Sequence, residues 1–184
     1  MKLRTLALTA LFAGFAAPAG AAVMAIGSTN AHLCFEAAES SVVPSFDDLD
    51  RCNQALSEEG LSLSDTAATH VNRGVLLLRR GNLDAAIADF DRALSVDPEQ
   101  PEAYLNKGMA TLKKSGWQQA MPLFDTALQK HTRKPEYAYY GRAIAHELAG
   151  DAKSAYLDYR QASVLAPNWA QPAKELTRFH VERR

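Results

Sequence analysis

The chain is 184 residues long, with a formal net charge of −1 and two cysteines. That length suits one domain of ordinary size with a continuous core. The mildly acidic balance excludes nucleic acid as the expected partner, because phosphate binding needs clustered Lys and Arg.

At the N-terminus, Lys2 and Arg4 precede an apolar run from Leu6 to Ala17, and Pro18-Ala19-Gly20-Ala21-Ala22 follows. These are the three parts of a cleavable signal peptide covering residues 1–21, with cleavage expected after Ala21. The run is shorter than the roughly 20 apolar residues that span a bilayer, and Pro18 and Gly20 interrupt it. Membrane contact is therefore expected only through this transient segment. Cys34 lies too far behind the apolar run, after Asn30-Ala31-His32-Leu33, to carry a lipid. Cleavage would remove Lys2 and Arg4 and no acidic residue, taking the net charge from −1 to −3. The expected location is periplasmic or secreted.

Residues 22–66 read as a weakened copy of the units that follow. Arg51-Cys52-Asn53-Gln54-Ala55-Leu56 mimics Asp89-Phe90-Asp91-Arg92-Ala93-Leu94 at an offset of 38, with the surplus in the loop from Glu58 to Ser64. Its first helix is predicted over about residues 29–42, and Asp48 stands in a column that elsewhere holds a small residue. Cys34 and Cys52 fall at positions that face each other across an antiparallel helix pair. In an oxidising compartment one disulfide is the simplest expectation. The alternative, a thiol or metal site using His32 and Cys34, suffers because residues at i and i+2 do not converge on one helical face.

Three full units follow. Ala86, Phe90, Ala93 and Pro98 become Ala120, Phe124, Ala127 and Thr132, then Ala155, Tyr159, Ala162 and Pro167, at offsets of 34 and then 35. Within residues 67–100, Val71, Gly74, Val75, Leu77 and Leu78 recur at helical spacing up to Gly81-Asn82. A second helix carries Leu83, Ala86, Ile87, Phe90, Ala93 and Leu94 before Asp97-Pro98 closes it. Each unit is thus helix, tight turn, helix, with Gly74 and Ala86 small so that the helices can approach closely. The second unit, 101–135, and the third, 136–169, repeat this, and the added residue falls in the connector from His131 to Glu136.

Arg73, Lys107 and Arg142 fall in register and read as a solvated basic ridge, while Arg79-Arg80, Lys113-Lys114, Arg133-Lys134 and Arg183-Arg184 read as solvated helix ends. Residues 170–184, with Pro172, Ala173, Leu176, Phe179 and His180, are predicted as a capping helix with Trp169 packed beneath it. The histidines His32, His70, His131, His146 and His180 are scattered, and the acid pairs Asp89 with Asp91 and Glu58 with Glu59 read as solvated. No catalytic, cofactor or metal constellation emerges, so no enzymatic activity is expected.

The small-small-aromatic-small columns ending in proline resemble the tetratricopeptide repeat, over about residues 67–169. The family's tryptophan and leucine columns hold His70 and Arg73 here, then Tyr104 and Lys107. The resemblance implies an all-α, right-handed superhelical solenoid with a C-terminal capping helix, acting as a protein-binding or peptide-binding adaptor of the cell envelope. By the family's geometry the concave face carries Val71, Asn72, Val75 and Leu78, then Leu105, Asn106, Met109 and Leu112, then Tyr137, Tyr140 and Ile144. Asn72 and Asn106 share a column. An amide donates and accepts at once, so such a ladder can hold an extended peptide backbone, or instead bridge adjacent helices. Chaperone-binding members seize a terminal carboxylate with a basic clamp. Asn106 matches that clamp, but Val71, Val75, Tyr137 and Gly141 do not, so an apolar or internal segment is the expected ligand. A monomer is expected, with self-assembly through the terminal repeats as the rival.

Overall fold

Small residues at fixed columns determine how closely the helices stack. A Cβ atom added at Gly74 would lie 2.5 Å from the Phe90 ring, and one at Gly108 would lie 2.8 Å from Phe124. Each aromatic ring therefore presses on a neighbouring backbone, and Phe90 and Phe124 are completely buried. Ala86, Ala93, Ala120, Ala127, Ala155 and Ala162 are also fully buried between the layers.

The computed structural model describes residues 3–5, 21–24, 29–40, 42–58 and 60–181. The apolar run from Leu6 to Ala17 and the pair Arg183-Arg184 lie outside these. The helices, in order, are α1 (Thr29–Glu39), α2 (Phe46–Glu58), α3 (Leu63–Arg79), α4 (Leu83–Val96), α5 (Pro101–Lys113), α6 (Trp117–Gln129), α7 (Pro135–Leu148), α8 (Ala152–Leu165) and α9 (Ala170–Leu176). They form an all-α solenoid in which each helix packs on the next, while α3 also touches α5 and α5 touches α7. One addition to the expected all-α fold is a short antiparallel pair, β1 (Leu3–Thr5) with β2 (Phe179–Val181), in which Arg4 lies opposite His180.

Local chemistry sets the helix ends. Ser62 caps α3 by accepting from the Asp65 N–H, and Asp151 caps α8 by accepting from the Ser154 N–H. Pro101 and Pro135 open α5 and α7, where a missing N–H costs nothing. Asp48 also has a capping role, which its place in a small-residue column concealed. Its carboxylate accepts from the Ser45 N–H at 2.7 Å, and its own N–H donates to Ser45 Oγ at 3.1 Å, a reciprocal cap for α2. The turns inside the three units place Gly81, Ser115 and Gly150 at φ of 79°, 65° and 80°. Only the middle unit puts a side chain in this left-handed position.

Cys34 on α1 and Cys52 on α2 are both fully buried, with Sγ atoms 2.08 Å apart and Cα atoms 5.0 Å apart. The open C-terminal end of α1 has no basic residue in its own last turn. Arg79 supplies the missing donors from α3, giving hydrogen bonds to the carbonyls of Ala37 at 3.3 Å, Ala38 at 2.5 Å and Ser40 at 2.5 Å. Arg79 is therefore a capping group for another helix rather than a solvated helix end, because those orphan carbonyls need partners.

The basic ridge is likewise corrected. Arg73 grips Asp89 with two bonds of 2.7 Å, and Arg142 grips Asp158 with bonds of 2.7 and 2.8 Å while also reaching Asp125 at 2.6 Å. Lys107 meets Asp91 at 2.5 Å. These cations tie the two helices of a unit, or adjacent units, together. Asp89 is 1% exposed, not solvated, because Arg73, His70 and Arg92 converge on it. Burial opposes its ionisation, yet the hydrogen bonds from Arg73, His70 and Arg92 outweigh that and hold its carboxyl well below the usual range.

At the C-terminal end, α9 stops at Leu176 instead of continuing through Phe179 and His180. The chain turns there because Arg178 is drawn to Glu147 at 2.7 Å, where Tyr159 also donates at 2.9 Å. Phe179 then packs on Tyr156 and Tyr159, with ring centroids 5.8 and 6.0 Å away.

Two outcomes follow from this packing. Ser115→Gly should raise stability by about 1 kcal/mol in a denaturant titration, since a non-glycine residue in the left-handed region costs roughly 1–2 kcal/mol and glycine's extra unfolded-state freedom returns part of that. Asp89→Asn should lower stability by about 3 kcal/mol at neutral pH, because it leaves Arg73 without its counter-charge. The folded-state pKa of Asp89 is depressed, so its contribution is complete above the ordinary carboxylate range and drains away in acid. The gap between the two proteins should therefore narrow between about pH 5 and pH 2.

Candidate functional site

The first helices of the units, α3, α5 and α7, bring the residues of the concave column together. Asn72 and Asn106 sit one unit apart on α3 and α5, at 0% and 2% exposure. A buried amide must find partners. Neither bridges adjacent helices. Both instead reach a short irregular stretch of the same chain, residues 21–24.

Asn72 exchanges two hydrogen bonds with one residue of that stretch. Its Oδ1 accepts from the Val23 N–H at 2.7 Å, and its Nδ2 donates to the Val23 carbonyl at 2.6 Å. Asn106 Nδ2 donates to the Ala21 carbonyl at 3.0 Å and to the Glu102 carbonyl at 2.9 Å. The Ala22 carbonyl between them accepts from the Arg133 guanidinium. Alternation of partners, Asn for residues 21 and 23 and Arg for residue 22, is the pattern of an extended backbone whose polar groups point to opposite sides in turn.

Arg133 and Glu102 are the members of this site that the sequence reading missed. Glu102 is almost fully buried, and its Oε1 accepts from the Arg133 backbone N–H at 3.0 Å and from Arg133 Nε at 3.3 Å. The carboxylate thus aims the guanidinium at Ala22, so Arg133 is not a solvated helix end. Glu102 precedes Asn106 by four residues and so shares its helical face. The signal for Arg133 is its place in the connector that carries the added residue, following His131, whose φ is 59°.

The apolar candidates behave differently. Val71, Val75, Leu105 and Met109 are between 0% and 3% exposed and belong to the continuous core that also contains Ala21 and Ala22. Tyr137 and Tyr140 do not face an open groove. Trp169, at the start of α9, lies against both, with ring centroids 4.8 Å from each. Burial raises the pKa of both tyrosines, that of Tyr140 to about 12. Leu78, Leu112 and Ile144 are also buried. The asparagine column ends at Gly141, where a Cβ would lie 2.4 Å from Phe124.

A separate cleft of about 310 Å³ opens where α2, α3 and α4 meet, lined by Leu49, Asn53, Leu77 and the paired Arg73, Asp89 and Arg92. Its charges already satisfy one another. Among the described residues no group of three or more His, Cys, Asp or Glu is placed to hold a metal ion, and no helix is long and apolar enough to cross a membrane.

Residues 67–100, the first full unit, match the sequence model of the tetratricopeptide repeat. The chain thus carries a tetratricopeptide repeat in its first full unit. Its solenoid is similar to the first tetratricopeptide domain of Spaghetti (RPAP3) bound to the HSP90 peptide SRMEEVD, at a TM-score of 0.58 and 24% identity over 62% of this chain and 90% of that one. It is also similar to the Arabidopsis OM64 tetratricopeptide domain, at a TM-score of 0.60 and 22% identity over 64% of this chain and 96% of that one. A third similar structure is YrrB, described as a tetratricopeptide protein with an unusual peptide-binding site, at a TM-score of 0.57 and 16% identity over 70% of this chain and 64% of that one. No curated protein sequence gives a significant match. These likenesses reach the fold, while the asparagine ladder and its occupant are read from this chain's own contacts.

Proposed function

We propose that this tetratricopeptide-repeat protein is a non-enzymatic adaptor of the cell envelope, whose concave groove holds an extended peptide segment through Asn72 and Asn106. The observation that carries this reading is the reciprocal pair between the Asn72 amide and the Val23 backbone, at 2.7 and 2.6 Å. An amide that gives and takes one bond with the same residue imitates a neighbouring β-strand, and this fixes a backbone whatever its sequence. The HSP90 peptide on the RPAP3 domain and the peptide site of YrrB are examples of similar solenoids taking peptides. The residues of a carboxylate clamp are missing here, and Arg133, the cation that reaches the Ala22 carbonyl, is already engaged by Glu102. An internal segment suits such a groove better than a chain end.

The envelope location rests on the signal-peptide pattern of residues 1–21 and on the facing cysteines. A monomer is the proposed working state, since Trp169 and α9 cover the inner face of the last unit.

Affinity capture from envelope extract tests the groove. The Asn72→Ala, Asn106→Ala double variant should lose its partners while a melting curve shows it folded; retention of every partner would place binding elsewhere. Thiol titration in denaturant tests the export reading. Protein recovered from the periplasm should show no free thiol, and reduction should cost about 3 kcal/mol of stability, the chain-entropy value for a loop of this size. Two free thiols would remove the disulfide from the proposal.

A further inference from the structure

We infer that the groove is shaped for an internal segment of consecutive small residues, and that residues 21–23 are its resident occupant, which any external ligand must displace. This rests on the peptide-binding reading above. It adds the chemical class of the ligand and the competitor already in place.

The class follows from what the groove does and does not touch. All of its hydrogen bonds to the segment go to backbone atoms of Ala21, Ala22 and Val23. Side chains are therefore sorted by space alone. Ala21 and Ala22 are 2% and 1% exposed, so their methyl groups are enclosed and a larger side chain would have to push the core apart. Val23 packs both on that core and on the small cluster of Ala31, Ala55 and Ala68, which suits one branched aliphatic residue. The ligand pattern is small, small, branched, with no charge. Its direction is set too, because residue 21 lies on the second full unit and residue 23 on the first, so the segment runs against the order of the repeats.

Occupancy follows from the tether. Residue 24 is joined to α1 by residues 25–28 only. A short tether gives an effective concentration in the millimolar range, so a free peptide of equal intrinsic affinity binds poorly until the segment is displaced. Cleavage after Ala21 would leave Ala22 and Val23, which make three of the four bonds to Asn72, Asn106 and Arg133. The occupant therefore survives the expected processing only as the shortened segment from Ala22, held by Asn72 and Arg133, while Asn106 keeps its bond to the Glu102 carbonyl alone.

The test measures binding of a fluorescent, acetylated and amidated peptide of the sequence Gly-Ala-Ala-Val-Met-Ala by anisotropy. The exported chain is compared with its Val23→Pro and Val23→Asp variants. Proline removes the N–H that Asn72 accepts, and aspartate is excluded from the alanine cluster. Both substitutions lie outside the helices, and two independent substitutions guard against one of them misfolding. Each variant should bind the peptide at least tenfold more tightly than the parent chain. Adding Asn72→Ala should abolish that gain, and a peptide with both central alanines replaced by leucine should not bind. Equal affinity for parent and variants would overturn the occupancy, and equal binding of the leucine peptide would overturn the selection for small residues. A parent dimer in light scattering that dissociates on Val23→Pro would mean that the occupant comes from a second copy, which also overturns the inference. If the variants ignore this peptide but still capture partners through Asn72 and Asn106, the inference falls and the groove reading stands. If they bind nothing and the double-asparagine variant keeps every partner, both fall.

Discussion

The contact on which the rest of this solenoid depends is the ring of a second-helix aromatic pressed onto the backbone of a first helix. Phe124 shows it most clearly, since an added Cβ at Gly108 on one side or at Gly141 on the other would fall 2.8 or 2.4 Å from its ring. One side chain thereby fixes the spacing of two successive first helices. That spacing decides what the concave face can grip. Asn72 and Asn106, 34 residues apart in sequence, end up reaching backbone groups only two residues apart in the segment they hold. An extended chain repeats its bonding side every two residues, so the period of the repeat and the period of a strand meet at the groove. A larger residue at Gly108 would spread the helices and break this match before it touched the asparagines.

Charge is distributed so as to keep that groove neutral. Arg73, Lys107 and Arg142 are engaged by Asp89, Asp91, Asp125 and Asp158 on the second helices, and Arg133 is held by Glu102 at the groove itself. The same register that first suggested a solvated ridge turns out to be a set of ties between helices. Such pairs hold geometry more than they add stability, because each charge gives up hydration to form them. Their value lies in setting the rotation of each first helix about its axis, and hence the direction in which its asparagine points.

The repeat columns made most of the fold legible from sequence. Phe90, Phe124 and Tyr159 follow one another at one-unit intervals, and a period is visible without knowing what any one residue touches. The asparagine ladder was legible for the same reason, since Asn72 and Asn106 share a column. What the sequence concealed lacks a period. Arg79 capping α1, Arg133 reaching Ala22 and Arg178 turning the chain after α9 each join segments between 31 and 111 residues apart. Nothing in the local pattern distinguishes these arginines from solvated ones, because their partners are backbone carbonyls or single acids that any sequence offers in plenty. The occupant of the groove was hidden in another way. Residues 21–23 are small and uncharged, a composition that a signal cleavage site also requires, so nothing in it marks them as a segment that packs in the groove.

The two readings of those residues are physically compatible, and their overlap is informative. Signal cleavage favours small side chains next to the scissile bond, and a groove that encloses Ala21 and Ala22 at 2% and 1% exposure favours them as well. One composition can therefore serve two successive events, the first during export and the second after folding. The cost falls on the other end of the chain. Strand β2 pairs with Leu3–Thr5, so removal of the N-terminal segment would leave Phe179–Val181 without its strand partner. Phe179 would still be anchored on Tyr156 and Tyr159, and Arg178 on Glu147. These are contacts to α7 and α8 rather than to β1, so the C-terminal cap would outlast the loss of its strand. The C-terminal end of the solenoid is thus secured by contacts with the repeats themselves, independently of the segment in the groove.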